Sequence, residues 1–412
     1  VDTLMLSAVG DYAVGAVGTA NSYIGIFIIM FSIISSGMVS VMTQNIGAGR
    51  PGVAYQARQL GLLFNAVAGV LMAVFLFSGA GAILRMVGIA DALYEPALIY
   101  LKIVGGGCIL NAVIPIFLSY LRAFGYTKQP LYATIVGNIA NFVMNAVFLF
   151  VLHKGVAGVA TATVISKILN LCIVLYFSHK LISAKNSTER IANKTVLGQI
   201  VKVGLPSACE TALYNVAMML VIRFLNQMDA EGLNVTARSY TATISNFSYC
   251  VGAALAQANA IMTGWHIGAG ELEECDRGTK RAAFVGVCVA VCMETAIVLG
   301  SGFIMPLFTD NPEMTALVRK LLAIDIVLEI GRVTNLVFGQ ALKTSGDAVF
   351  PGSDRSRFHV CLCGGRHMAV WNFHGAYGCG SVISVLQVMS VCGLSAWYGD
   401  WKTGKWRTKK LV

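Results

Sequence analysis

The decapeptide LRAFGYTKQP at 121–130 returns as LKTSGDAVFP at 342–351, with Leu, a basic residue, Gly and Pro in step at an offset of 221. The tetrapeptide IGAG at 46–49 returns at 267–270, at the same offset. One short match would be coincidence, but two at one spacing mark an internal duplication. A third echo, ANSY at 20–23 and ARSY at 237–240, sits at offset 217, so a short insertion or deletion separates it from the others.

What is duplicated is apolar. The 412 residues are 56% hydrophobic and only 12% charged, with a mean hydropathy of +0.71. A soluble domain carries about 25% charged residues, so this balance excludes the soluble enzyme classes and predicts an integral membrane protein. At roughly 20 residues per helical span there is room for about twelve spans. The runs are too long for a barrel, whose strands alternate over about ten residues. The spans fall at 1–9, 17–42, 58–82, 94–120, 130–152 and 156–178, then at 199–227, 237–263, 280–304, 315–342, 352–372 and 376–398. The chain begins with Val, and its first span reads as the remnant of a truncated helix. Six spans per half put both IGAG loops on one membrane face, which makes the halves parallel repeats, a transporter architecture.

These spans define an N-lobe at 1–178, a polar linker at 179–195, a C-lobe at 196–398 and a basic tail at 399–412. Lys and Arg outnumber Asp and Glu by 30 to 20. They concentrate between His179 and Lys202 and after Trp401, so both segments are predicted to be cytoplasmic. No basic patch interleaved with aromatics points to nucleic acid. The 11 cysteines lie mostly singly inside apolar runs, the pattern of small hydrophobes.

Polar groups inside spans are costly and usually face a cavity or a partner. Asp2 lies inside the first span. In the fifth, Thr134, Asn138, Asn141 and Asn145 recur at helical spacing and predict one polar stripe; in the sixth, Thr163, Ser166, Lys167 and Asn170 do the same. Such a carboxylate, amides and hydroxyls can converge on a proton or a small cation, while the amides alone can also glue helices. In the second half, Glu210 follows Gly204-Leu-Pro206, Glu294 sits mid-span, and Asp325, Glu329 and Arg332 share a helix face. A buried carboxylate can trade a proton for a cationic substrate.

VDTLML at 1–6, QNIGAG at 44–49, LRAFGYTKQP, NIANFVMNAVF at 138–148, GVAGVATATVISK at 155–167 and GLPSACE at 204–210 together resemble the multidrug and toxic compound extrusion (MATE) transporters, over about residues 1–351. The resemblance implies an all-α integral membrane fold of twelve helices, two parallel six-helix repeats forming a V-shaped cavity. It implies a multi-pass cell-membrane antiporter, not an enzyme, exporting small amphipathic organic cations against inward Na⁺ or H⁺. Asp2 matches the family's coupling aspartate and is where Na⁺ would bind. Asn141 and Thr163 fall on positions near it, with Asn138 and Asn145 alongside. Several members carry an aspartate four residues after the Asn141 position, where this chain has Asn145, so its first half has one negative charge fewer. Glu210, Asp325, Glu329 and Arg332 are the expected substrate-cavity residues. No organic cofactor and no nucleic-acid partner are expected, and the chain is expected to act as a monomer in the bilayer. The alternative is a flippase of lipid-linked sugars. That function calls for Arg and Lys along the cavity, whereas the second-half candidates are mostly acidic.

Residues 353–392 break the repeat. They hold three of the six His, four of the eleven Cys, and Asp354, Arg355, Arg357 and Arg366 where an apolar helix belongs. His359, Cys361, Cys363 and His367 do not follow a zinc spacing. Codons read one base later restore apolar residues, so the hypothesis is a frameshift, and sequencing the gene across this segment decides it.

Overall fold

The computed structural model describes residues 5–6, 11–87, 91–182, 189–228, 233–307, 309, 311–347, 398, 401–409 and 411. Among these every regular element is a helix: α1 (Asp11–Gly47), α2 (Pro51–Val87), α3 (Asp91–Gly106), α4 (Cys108–Ala123), α5 (Lys128–Ala146), α6 (Gly155–Leu181), α7 (Asn193–Met228), α8 (Leu233–Ala269), α9 (Leu272–Ile304) and α10 (Pro312–Ser345). α5 runs on into a π-helical turn at Val147–Val151. Asp2 and the anomalous segment 353–392 lie outside the described residues, as do the predicted spans at 352–372 and, apart from Tyr398, 376–398.

The duplication read from two short motifs governs the backbone. α2 begins at Pro51 and α9 at Leu272, α3 at Asp91 and α10 at Pro312, each pair 221 positions apart. The turns repeat as well. Gly49 and Gly270 have φ of 75° and 82°, and Gly125 and Gly346 have φ of 84° and 92°. L-residues with a Cβ avoid that left-handed region at a cost of about 1–2 kcal/mol, which is why glycine stands at all four corners. α10 shows both terminal devices. The Asn311 side chain accepts hydrogen bonds from the backbone N–H groups of Glu313 and Met314, and Gly346 closes the other end.

The predicted span 94–120 departs from the expectation of one helix. It is broken at Gly107 into α3 and α4, which bend by 42°. The run Gly105-Gly106-Gly107 is the reason, because glycine is a weak helix former and three in succession leave no side chain to brace the turn. The equivalent residues Ile326, Val327 and Leu328 keep α10 continuous.

Five helices are long and apolar enough to cross a membrane, or six with α3 and α4 counted as one bent span. Long apolar side chains such as Leu71, Val74 and Phe77 stand exposed along α2. That outward apolar surface suits lipid and not water. α7, α8 and α10 are as long but too polar to pass the same test.

Contacts divide the chain into unit 1 (Val1–Ala208) and unit 2 (Cys209–Val412). The polar linker predicted at 179–195 therefore precedes this division, because the first four turns of α7 pack with unit 1. There Gly37 and Gly204 let α1 and α7 meet backbone to backbone: a Cβ on Gly37 would strike the Ile200 carbonyl, and one on Gly204 the Ile33 carbonyl. The core of unit 1 is rich in alanine, with Ala13, Ala16, Ala20, Ala80, Ala97 and Ala112 allowing close helix approach.

Candidate functional site

Unit 2 gathers its charges in mid-helix. Helical spacing places Asp325, Glu329 and Arg332 on one face of α10, and all three meet there as predicted. Arg332 forms an ion pair with Glu329 and a second, at 3.8 Å, with Asp325. Its guanidinium also lies 5.8 Å from the Tyr249 ring centre, a cation–π contact. Packing of α9 against α10 brings in Glu294, which the sequence marked only as a lone mid-span acid. Glu294 and Glu329 are both 0% exposed, and Asp325 is buried. Ser245 of α8 donates a hydrogen bond of 2.9 Å to Glu294 Oε1.

The cluster is unbalanced in charge and in hydrogen bonding. Three carboxyl groups within electrostatic reach of one another share one guanidinium. Glu294 Oε2 and Glu329 Oε2 are buried with no hydrogen-bond partner among the described residues. A buried polar atom without a partner costs about 1–3 kcal/mol, more when charged, so both oxygens are poised to take a proton or meet a donor. Ser245 and Tyr249 had a faint signal, the hydroxyl-rich run TATISNFSY at 241–249.

Glu210 does not join this group. It forms an ion pair of 2.6 Å with Lys343, and Lys343 lies eleven residues beyond Arg332, roughly 16 Å along α10.

Unit 1 uses amides where unit 2 uses carboxylates. Asn141 donates to Thr163 Oγ1 at 3.5 Å, and Asn145, fully buried, donates to Asn141 Oδ1 at 3.3 Å. The Asn145 bond stays within α5, while the Asn141 bond stitches α5 to α6, as does Asn170, which donates to the Ala133 carbonyl and rests on Gly137. Asn138 lies exposed at the edge of the predicted stripe, and Thr134 hydrogen-bonds the Pro130 carbonyl of its own helix. Thr163 also donates back to Val159 and Ser166 to Thr163, both within α6. Lys167 donates to Asn111 Oδ1 of α4 at 2.8 Å. The sequence reading overlooked Asn65, whose amide donates to the Phe31 and Ala112 carbonyls and so ties α2 to α1 and α4. A lone Asn in an apolar run was its only mark.

No group of three or more His, Cys, Asp or Glu among the described residues has a geometry that could hold a metal ion. The seven described cysteines are free thiols.

The MatE family pattern matches residues 1–147 and 206–351. The uncharacterized transporter YisQ of Bacillus subtilis (strain 168) is 32% identical over 356 residues, 85% of this chain and 78% of its own. A solved Vibrio cholerae MATE transporter, VcmN in a mutant form, superposes with a TM-score of 0.84 at 17% identity, covering 98% of this chain and 91% of that one. A MOP superfamily transporter from Pyrococcus furiosus, described as having a binding pocket of reverse polarity that suggests a different function, superposes with a TM-score of 0.75 at 17% identity, covering 98% of this chain and 90% of its own. A duplicated all-helical frame, apolar outward faces and a family pattern over most of the sequence converge: the chain belongs to the MatE family, as a multi-pass membrane transporter and not an enzyme.

Proposed function

We propose that this transporter is a secondary active antiporter that exports small amphipathic organic cations in exchange for inward H⁺ or Na⁺. The observation that carries the reading is the unit 2 cluster, where Glu294, Asp325 and Glu329 outnumber Arg332 and two carboxylate oxygens are buried without partners among the described residues. Excess buried negative charge favours binding either a proton or a cationic substrate, and occupancy by one lowers affinity for the other. At this cluster the proton is the favoured coupling ion. Arg332 already supplies a fixed cation that would repel a metal ion, whereas protonation of Glu294 or Glu329 relieves the imbalance.

Asp2 is proposed as a second coupling group, with Asn141, Asn145 and Thr163 as neutral polar neighbours. An acidic cluster is a poor host for the anionic head groups of lipid-linked sugars, which favours cation export over the flippase reading. The test is efflux of a fluorescent organic cation from vesicles carrying an imposed pH or Na⁺ gradient. Asp2→Asn should abolish the response to the gradient. Efflux that ignores both gradients in the unmodified protein would remove the antiport reading.

A further inference from the structure

The segment that ends each repeat returns to the same place on its own unit. In unit 1 the chain leaving α6 is held at two points. The Tyr126 hydroxyl donates to the Leu181 carbonyl at 3.2 Å. Gln56, 5% exposed on the second turn of α2, then grips residues 191–193: its Nε2 donates to the Ile191 carbonyl at 2.7 Å and to Asn193 Oδ1, and its Oε1 accepts from the Ile191 N–H at 3.2 Å. One buried amide thus mimics a strand partner for Ile191 and fixes the first residue of α7.

In unit 2 residues 401–409 also turn back. Trp401 Nε1 donates to Asp276 Oδ1 at 2.8 Å, on the second turn of α9, and Lys409 forms an ion pair with Asp347. Asp276 and Asp347 lie next to and at the positions equivalent to Gln56 and Tyr126, since 276 corresponds to 55 and 347 to 126 at the 221 offset. Trp401 and Trp406 stack at 4.2 Å and are each 1% exposed, and Trp406 Nε1 donates to the Trp401 carbonyl.

The duplication shows why bulky residues are needed there. In unit 1 Arg58 lies over the rings of Tyr55, Phe117 and Tyr120. Their equivalents in unit 2 are Thr279, Asp276, Phe338 and Ala341. Three of the four are smaller, and Trp401, packed on Phe338 at 5.9 Å, supplies the missing ring from the tail.

We infer that residues 189–193 and 401–409 are paired fold-back straps, one per repeat, with Gln56 and Asp276 as the positioning residues that hold them across the IGAG end of their units. The predicted linker is therefore no slack tether at its far end: α7 starts from a point fixed to α2. Likewise, the basic tail is part of the fold of unit 2. This inference does not depend on what is transported.

The test is limited trypsin digestion of the full-length protein in membranes, following cuts at Arg190 and Lys194 in the first strap and at Lys402 and Arg407 in the second. Gln56→Met, which keeps the volume and removes the amide, should speed cutting of the first strap on the order of tenfold and leave the second unchanged, because it removes the three part-buried hydrogen bonds that guard that local opening. Asp276→Ala should do the reverse, and Asp276→Asn, which keeps the acceptor oxygen, should cut like the unmodified protein. If both substitutions open both straps alike, or neither opens its own, the straps are not held by these residues and the inference fails.

Discussion

The two units share a frame and differ in what they bury. Glycine corners coincide at 49 and 270 and at 125 and 346, yet position 111 is an asparagine where position 332 is an arginine, and position 108 a cysteine where 329 is a glutamate. Unit 1 relies on uncharged amides and hydroxyls, of which Asn65, Asn141 and Asn170 hydrogen-bond between helices. Among its described residues unit 2 gathers three buried carboxyl groups around one arginine, with Glu294 Oε2 and Glu329 Oε2 lacking a partner. After duplication, turns are constrained by backbone sterics that every copy must satisfy, whereas buried polar residues are free to diverge toward packing in one copy and charge handling in the other.

Substitution at the equivalent positions 332 and 111 should expose this difference most strongly. Arg332→Met strips three carboxyl groups of the one counter-charge beside them among the described residues and should destabilise the protein by about 3–5 kcal/mol, the usual cost of breaking a buried ion pair on one side. Asn111→Ala removes the hydrogen bond that Asn111 Oδ1 accepts from the Lys167 ammonium and should cost less, about 1.5–3 kcal/mol. Thermal unfolding in detergent measures both, and equal losses would break the comparison.

The shared frame predicts the opposite pattern at the corners. A Cβ on Gly49 or on Gly270 meets nothing within 4 Å, so Gly49→Ala and Gly270→Ala should each cost only the backbone strain, about 1–2 kcal/mol. A clear inequality between the two in the same unfolding experiment would mean that the corners are not equivalent. The smallest effect belongs to the α5–α6 stitch. Asn141→Ala should cost about 0.6 kcal/mol, the average for interhelical hydrogen bonds in membranes, read as the coupling energy in a double-mutant cycle with Thr163→Val.

Much of this was legible in the sequence because it is local or repeated. The 221 offset located both sets of corners, and the spacing of Asp325, Glu329 and Arg332 placed them together on α10. The gathering of Glu294 into that group was not legible: it depends on how α9 packs against α10, and periodicity within one helix carries no record of its neighbour. The helix break at Gly107 had a signal in three successive glycines, masked by the apolar residues around them. Asn138 matched the stripe's spacing yet lies at its exposed edge, since spacing fixes a direction and the packed neighbour fixes burial. The straps carried no periodic signal at all. Trp401 is buried because positions 279 and 341 are small, a complementarity between segments more than a hundred residues apart in one case.

The central claim is that, among the described residues, charge coupling resides in unit 2. The most direct measurement is pH-gradient-driven efflux of a fluorescent cation from vesicles containing Glu294→Gln, set beside Asn145→Leu at matched protein content. Glu294→Gln should lose most of the gradient-driven rate, on the order of tenfold or more, while Asn145→Leu should keep it within about twofold. Full gradient-driven efflux in Glu294→Gln with loss in Asn145→Leu would contradict it.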